Sequence, residues 1–345
     1  MTLEALLRHC NSATNMSRLM LCIGILCGMS TTTWAATGHL LGLEGLSRTQ
    51  LHAMLDDAEQ FLPIVQGVVD PEPLLGGRVV ANLFLENSTR TRVSFSVAAQ
   101  RLGAQVVDLL GSTSSSTKGE SLVDTAANIA AMGVDAIVVR CTASGGPQLI
   151  SEHVGVPVLN AGDGMHEHPT QGLLDLLTIR QHLGTADLDG RRIAIVGDIA
   201  SSRVARSNLH ALTTCGADVV LVGPAELVPG DFEQFIPSEP GRGRVTVEHD
   251  FDAVLPDVDV AMMLRIQFER HADQSIPEDY IERYGLNGAR ADRMPDGAAV
   301  LHPGPVNRGV ELVNEVADGP RSLILQQVTN GVAVRMAALA GLLAS

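Results

Sequence analysis

Apolar and polar positions alternate along this chain in blocks whose period switches repeatedly. Leu51, Met54, Leu55, Ala58 and Leu62 recur at helical spacing behind Ser47, which predicts a capped helix. A Pro/Gly-rich loop, Pro71 to Gly77, separates it from an apolar strand-like run, Val79 to Leu85, interrupted by Asn82. That run meets a polar turn, and the turn opens into a helix with Val93, Val97, Ala98 and Leu102 on one face. A strand over Ala104 to Leu110 leads into GSTSSSTKGES, Gly111 to Ser121, whose scarce apolar surface predicts a mobile loop. A helix from Ser121 to Met132, a strand from Ala136 to Val139 ending at Arg140, and a strand from Val156 to Leu159 follow. His168-Pro169-Thr170-Gln171 then starts a helix with Leu173, Leu174, Leu177 and Leu183 as its buried stripe.

A second series begins after Thr185 to Arg191, with strands expected at Arg192 to Val196, Asp218 to Val222, Val258 to Leu264 and Ala299 to Leu301. The chain closes with an apolar helix, Leu323 to Leu343, long enough to cross back onto the first half. Strands alternating with helices, and polar residues after the strands, predict an α/β protein: two doubly wound parallel-sheet domains facing a shared cleft. The dinucleotide fingerprint G-x-G-x-x-G is absent from the turn after Val196, which argues against a dinucleotide site.

The chemistry concentrates at those turns. In FLENSTRTRVSF, Ser88 and Thr89 suit a helix cap, and Arg90, Thr91 and Arg92 occupy the first turn, where cations oppose the helix dipole. Either this is a capped surface helix with early arginines, or an anion rests on the free amides as in a phosphate cradle. Arg140 is placed at a carboxyl strand edge, where ligands of open α/β sheets collect. His168 and Gln171, three apart, face the same way: a capping histidine, or a pair addressing a carbonyl oxygen and an amide. Arg203 and Arg206 open a later helix, and RIQFER puts Arg265 and Gln267 at another carboxyl edge, with Glu269 and Arg270 as orienting or surface groups. HPGPVNRG, around Gly304 and Pro305, is too rich in Pro and Gly for regular structure.

Composition narrows the ligand. A formal net charge of −15 argues against nucleic acid and anionic membranes, so an anionic ligand needs locally gathered cations. Of the 24 basic residues only Lys118 is a lysine, where average usage gives on the order of twenty. A retained lysine on a mobile loop suits a point charge that swings onto a bound anion. The five cysteines show no metal-ligand spacing and no disulfide framework, so no metal and no cofactor is expected. Residues 1–36 stand apart. Arg8 and Arg18 precede an apolar run, Leu19 to Met29, and then the sole tryptophan, Trp34, in the outline of a secretory signal; the competing and favoured expectation is a true start nearer Met16 or Thr37.

With STRTR, HPTQ, RIQFER and HPGPVNRG occurring in this order, the chain from Gly38 onward resembles the aspartate/ornithine carbamoyltransferase family, and within it the aspartate carbamoyltransferase catalytic chains. The resemblance implies carbamoyl transfer from carbamoyl phosphate to L-aspartate in pyrimidine synthesis, by a cytoplasmic homotrimer with shared active sites. It implies that Ser88, Thr89, Arg90 and Thr91 hold the phosphate. Thr91, Arg140 and His168 address the carbonyl oxygen, and Gln171 and the main chain at Gly304-Pro305 take the amino group. Arg203, Arg265 and Gln267 would grip aspartate, with Lys118 and Ser114 arriving from the adjacent chain. It further implies a carbamoyl-phosphate domain of residues 37–184 plus 322–345 and an aspartate domain of 185–321, with a regulatory chain or a dihydroorotase as possible partners. An ornithine enzyme is expected to carry cysteines in HPCQ and HCLP-like turns, where this chain has HPTQ and HPGP. A non-catalytic scaffold of the same fold is expected to have lost some charged site residues, and none is missing.

Overall fold

The computed structural model describes residues 34–35, 38–111, 120–266 and 277–344. Helix α1 (Arg48–Val65) begins at Ser47, which accepts from the Gln50 amide while the Gln50 side chain accepts from the Ser47 amide, closing a capping box. There follow β1 (Val79–Phe84), α2 (Thr89–Arg101), β2 (Gln105–Leu110), α3 (Leu122–Ala131), β3 (Ala136–Cys141), α4 (Gly146–Ser151) and β4 (Val158–Asp163). The four strands are parallel, in the order β2-β1-β3-β4. Helix α5 (Pro169–Leu183) leads to β5 (Arg192–Val196), α6 (Arg203–Thr214), β6 (Asp218–Val222), β7 (Val245–Glu248), β8 (Val260–Met263) and β9 (Ala299–Leu301). These strands are also parallel, in the order β7-β6-β5-β8-β9. The last helix, α7 (Ile324–Leu343), returns to pack on α1, α2 and α5.

Parallel strands covered on both faces are near-continuous apolar runs, and β3 and β4 are buried at every position, with Arg140, Asn160 and Asp163 as the polar exceptions. The strand orders also fix where ligands can sit. Each sheet grows in one direction and then restarts on the other side of its first strand, between β1 and β3 in one sheet and between β5 and β8 in the other. At such switch points the connecting loops diverge and leave a crevice beyond the carboxyl ends. The 86–91 turn follows β1, Arg140 lies at the end of β3, Arg203 follows β5 and Arg265 follows β8.

Several local expectations change. The buried stripe of α2 is Phe95, Ala98, Ala99 and Leu102 rather than Val93 and Val97, and Val93 is exposed. Positions 95, 98, 99 and 102 follow the i, i+3, i+4, i+7 rule more closely, and they face the core beneath α7. Strand β4 starts at Val158 instead of Val156 and runs on to Asp163, beginning only after Pro157, which has no N–H for the ladder. Helix α5 has no single stripe: Pro169 to Ile179 are all buried, because α6 and α7 pack against it, while Leu183 is only half-buried. Strand β7, half-exposed at alternate positions on the sheet edge, was not expected.

Trp34, expected to fall outside the enzyme, is 3% exposed and packs against α7. A Cβ on Gly341 would come within 2.5 Å of the indole, so the glycine makes room for the ring. The indole N–H donates to Asp57 Oδ2 at 3.4 Å, and Asp57 is itself fully buried on α1. Trp34→Ala should therefore cost about 3–5 kcal/mol of stability, read as a lower urea midpoint by circular dichroism. A midpoint equal to wild type would show the ring to be dispensable.

Candidate active site

The turn after β1 supplies the first part of the site. Ser88 sits at the N-cap of α2, yet its hydroxyl makes no cap hydrogen bond, so it does not take up the first-turn amides. The expected pair of uncompensated arginines reduces to one: Arg92 Nη1 donates to Asp108 Oδ2 at 2.7 Å, and Arg90 remains as the cation of this turn. Arg90 lies against the turn after β9, where a Cβ on Gly304 would approach its Cζ to 3.3 Å. Gly304 has φ of +68°, the left-handed region that favours glycine. Desolvation, and then the charge of Arg265, lower the Arg90 pKa from the ordinary arginine value, which places a second cation close by. His302 shares this corner. Burial, then Arg90 and Arg265, push it down to about 3, so the ring is neutral and its Nδ1 accepts from the Gly304 amide at 2.8 Å.

The second part lies between the sheets. Arg140 Nη1 donates to Ala161 O at 3.0 Å and Nη2 to Glu86 Oε1 at 3.2 Å. Arg203 clasps the same carboxylate, Nη1 to Oε2 at 3.1 Å and Nη2 to Oε1 at 3.0 Å. Burial alone would raise the Glu86 pKa, but the Arg203 hydrogen bond and the charges of Arg140 and Arg203 outweigh it and hold the carboxyl below its usual range. Gly162 lets the two guanidiniums approach: at φ of +112° it is strained for other residues, and a Cβ there would lie 2.8 Å from Arg140 Nη1 and 3.0 Å from Arg203 Nε.

His168 is the N-cap residue of α5, though its side chain makes no cap bond; its amide donates to Ser207 Oγ at 2.8 Å. The ring is 4% exposed, and burial, followed by Arg140, Arg335 and Arg203, drives its pKa well below the ordinary value. A neutral imidazole can donate one hydrogen bond without adding charge, and buried Nδ1 has no partner among the described residues. Gln171, one turn on, donates Nε2 to Asp175 Oδ1 at 2.9 Å.

The structure thus brings Ser88, Thr89, Arg90, Thr91, Arg140, His168, Gln171, Arg203, Arg265, Gly304 and Pro305 to the facing carboxyl edges of the two sheets. Ser114, Lys118, Gln267, Glu269 and Arg270 lie outside the described residues. Arg206 faces elsewhere, donating to Ala200 O and lying over the Phe232 and Phe235 rings. Cys141 and Cys215 are buried, their thiols pushed up to about 11 and about 12 by burial, which leaves no thiolate nucleophile in these two positions. Among the described residues no group of three or more His, Cys, Asp or Glu side chains could hold a metal ion.

Four carboxylates that organise the site were missed in the sequence. Besides Glu86, Glu167 accepts from the Leu43 and Glu44 amides and from Ser207 Oγ, tying the start of α5 to α6. Asp175 accepts from three side-chain amides. Glu311 accepts from the Ile266 amide at 2.7 Å and from Asn307 Nδ2 at 2.8 Å, fixing the turn that carries Arg265. The legible signal was a charge inside an apolar stripe, as with Asp175 in LLDLL.

Comparison with known proteins identifies the family of both halves of the chain. Residues 38–181 match the aspartate/ornithine carbamoyltransferase carbamoyl-P binding domain, and residues 189–342 the Asp/Orn binding domain. The chain is 52% identical over 303 residues to the aspartate carbamoyltransferase catalytic subunit of Myxococcus xanthus, covering 87% of this chain and 98% of that one. Among solved structures, aspartate transcarbamoylase from Trypanosoma cruzi in complex with carbamoyl phosphate and aspartate superposes with a TM-score of 0.80 at 30% identity, covering 90% of this chain and 98% of that chain. Ornithine carbamoyltransferase from Pyrococcus furiosus gives a TM-score of 0.78 at 29% identity, covering 89% and 97%. The fold alone therefore does not separate the two substrates, whereas sequence identity of 50–52% to aspartate carbamoyltransferase catalytic subunits favours aspartate.

Proposed function

The chain belongs to the aspartate/ornithine carbamoyltransferase family, and we propose that it transfers the carbamoyl group of carbamoyl phosphate to the amino group of L-aspartate. The products are N-carbamoyl-L-aspartate and phosphate, the committed step of de novo pyrimidine synthesis. One observation carries the reading. Four arginines from four strand ends, Arg90, Arg140, Arg203 and Arg265, converge at the two switch points of a protein whose net charge is −15. Such a cleft suits an acyl phosphate beside a dicarboxylate and opposes the side-chain cation of ornithine. The turns HPTQ and HPGP, without cysteine, also favour aspartate.

In this reading Ser88, Thr89, Arg90 and Thr91, with the first-turn amides of α2, receive the phosphate. Thr91, Arg140 and His168 meet the carbonyl oxygen, where negative charge builds as the amine adds to the carbamoyl carbon. A neutral His168 fits this role, because it can donate to the oxygen without repelling the neighbouring guanidiniums. Gln171 and the main chain at Gly304-Pro305 take the carbamoyl amino group, and Arg203, Arg265 and Gln267 take the aspartate carboxylates. The C–O bond to phosphate breaks as the N–C bond forms, and the leaving phosphate accepts the proton of the amine. No covalent intermediate is required, since holding two reactants in line supplies most of the acceleration. We divide the chain into a carbamoyl-phosphate domain of residues 37–184 with 322–345 and an aspartate domain of 185–321.

We place the protein in the cytoplasm as a homotrimer with Ser114 and Lys118 reaching the neighbouring site, open to a regulatory chain or a dihydroorotase. Exposed Val107 and Leu110 on edge strand β2, with exposed Met132 beside them, support burial of that edge against a second copy. No described helix is long and apolar enough to cross a membrane.

Phosphate release from carbamoyl phosphate, measured with aspartate and with ornithine separately, tests the activity: aspartate-dependent release is expected. Release with ornithine alone would reassign the substrate, and release with neither would favour a scaffold. Lys118→Arg should abolish most turnover despite keeping the charge, because a guanidinium cannot replace a compact ammonium. Near-normal turnover would show that the single lysine is incidental.

A further inference from the structure

Asp175 has no exposed surface and no place in the chemistry just described, yet its carboxylate joins α5 and α6, which carry site residues, to α7. Its Oδ1 accepts from Gln171 Nε2 at 2.9 Å and from Gln327 Nε2 at 2.7 Å, and its Oδ2 accepts from Asn208 Nδ2 at 2.8 Å. Gln171 lies one turn into α5, Asn208 lies on α6, the helix opened by Arg203, and Gln327 lies on α7. Gln327 extends the connection, because its Oε1 accepts from the His302 amide at 3.0 Å and His302 Nδ1 accepts from the Gly304 amide at 2.8 Å. One carboxylate is therefore linked to Gln171 and to the turn of Gly304 and Pro305.

An ionised carboxylate only accepts hydrogen bonds. Each of the three amides must turn its NH2 toward Asp175 and its carbonyl oxygen away from it. For Gln171 this leaves Oε1 as the end that is not committed to Asp175, an acceptor where a donor would otherwise be equally possible. For Gln327 it directs Oε1 to the His302 amide. Burial pushes the Asp175 carboxyl up to about 6, opposed by the Asn208, Gln327 and Gln171 hydrogen bonds and by the charge of Arg335, so it stays mostly ionised at neutral pH.

We propose that Asp175 is a positioning residue for acyl-group selectivity: by fixing the Gln171 amide with its oxygen presented, it makes the site prefer an acyl phosphate that carries an NH2 group over one that carries a methyl. This rests on the carbamoyl-transfer reading, in which Gln171 meets the amino group of the donor. Acetyl phosphate is the probe, for it has the same phosphate and carbonyl but nothing to donate to Gln171 Oε1. Aspartate would attack its carbonyl carbon, the C–O bond to phosphate would break, and the proton would leave with phosphate, giving N-acetyl-aspartate.

The test compares kcat/KM for carbamoyl phosphate and for acetyl phosphate, with aspartate as acceptor. In Asp175→Ala the ratio should fall at least tenfold through loss of the carbamoyl reaction, with the acetyl reaction within about threefold of wild type. Asp175→Asn should keep most of the ratio, because its oxygen can still accept from Gln171 and Gln327 and only the bond from Asn208 is lost. Gln171→Met should lower the ratio as the alanine variant does, and adding Asp175→Ala to it should change the ratio no further. Parallel losses of both reactions in any Asp175 variant, or additive effects in the double variant, would show a purely structural role and overturn the proposal. If the alanine variant does not fold, Asp175→Leu, which keeps more of the volume and cannot accept from Gln171, takes its place on the same criterion. Wild-type protein that releases no phosphate from carbamoyl phosphate with aspartate would instead overturn the functional reading itself.

Discussion

Replacing Arg140 with alanine should lower kcat for carbamoyl transfer by about 10²–10³-fold at saturating substrates, the usual loss when one donor to a developing oxyanion is removed. Arg140 stands at the end of β3, a strand buried at every position, so its backbone is held by a rigid element. One nitrogen is anchored on Ala161 O and another on Glu86, which fixes the plane of the fork before substrate arrives. A donor positioned in advance costs no reorganisation when charge develops. Arg140→Lys should recover little, because a single ammonium cannot span both anchors and still face the cleft. Affinity for phosphate in the free enzyme should fall much less than kcat, since Arg90 and the first turn of α2 remain. A kcat within about threefold of wild type in the alanine variant would remove Arg140 from the chemistry.

The parts of this site that were readable in the sequence are those governed by local rules. Ser47 marks a helix cap, Pro169 marks the first turn of α5, and Arg140 closes an apolar run, and each is where its local pattern puts it. The unreadable parts depend on contacts between residues far apart in the chain. Glu86 looks like one more polar residue in a turn, and only the approach of Arg203, 117 positions later, turns it into a shared counter-ion. Arg92 appears to be a substrate cation until Asp108 on the neighbouring strand takes it. Helix α2 presents two plausible apolar faces, and packing beneath α7 selects the one with Phe95. Trp34 follows a stretch that resembles a leader, but the space above Gly341 is filled by its ring.

Two of the missed carboxylates, Glu86 and Asp175, answer to the same electrostatic need. A cleft that gathers four guanidiniums before any anion is bound must limit their mutual repulsion, and two unit charges 4 Å apart cost about 4 kcal/mol at an effective dielectric near 20. Carboxylates of the protein itself, one half-buried and one fully buried, meet that need. Glu86 serves Arg140 and Arg203 directly, and the Asp175 charge opposes the burial penalty on Arg335, whose pKa is lowered to about 10.

Glu86→Gln is for this reason expected to have the second largest effect, a fall of about 10²-fold in kcat/KM for aspartate with little change in fold, of the order caused by a 1 Å misplacement. Glutamine preserves the shape but removes the charge, and its NH2 would face a guanidinium as donor against donor. Arg140 lies on β3 of the first sheet and Arg203 opens α6 after β5 of the second, so the shared counter-ion also ties the two halves of the site together. The stability effect has a defined sign. Because the folded protein holds the Glu86 carboxyl below its ordinary value of 4.5, its stabilisation is fully present above that pH and is lost as pH falls through the lower folded value. Urea midpoints of wild type and variant should therefore differ at pH 7 and converge as the pH is lowered well below 4.5. An aspartate kcat/KM within about threefold of wild type, or a midpoint difference that persists unchanged into acid, would show that the two arginines are held by something other than this carboxylate.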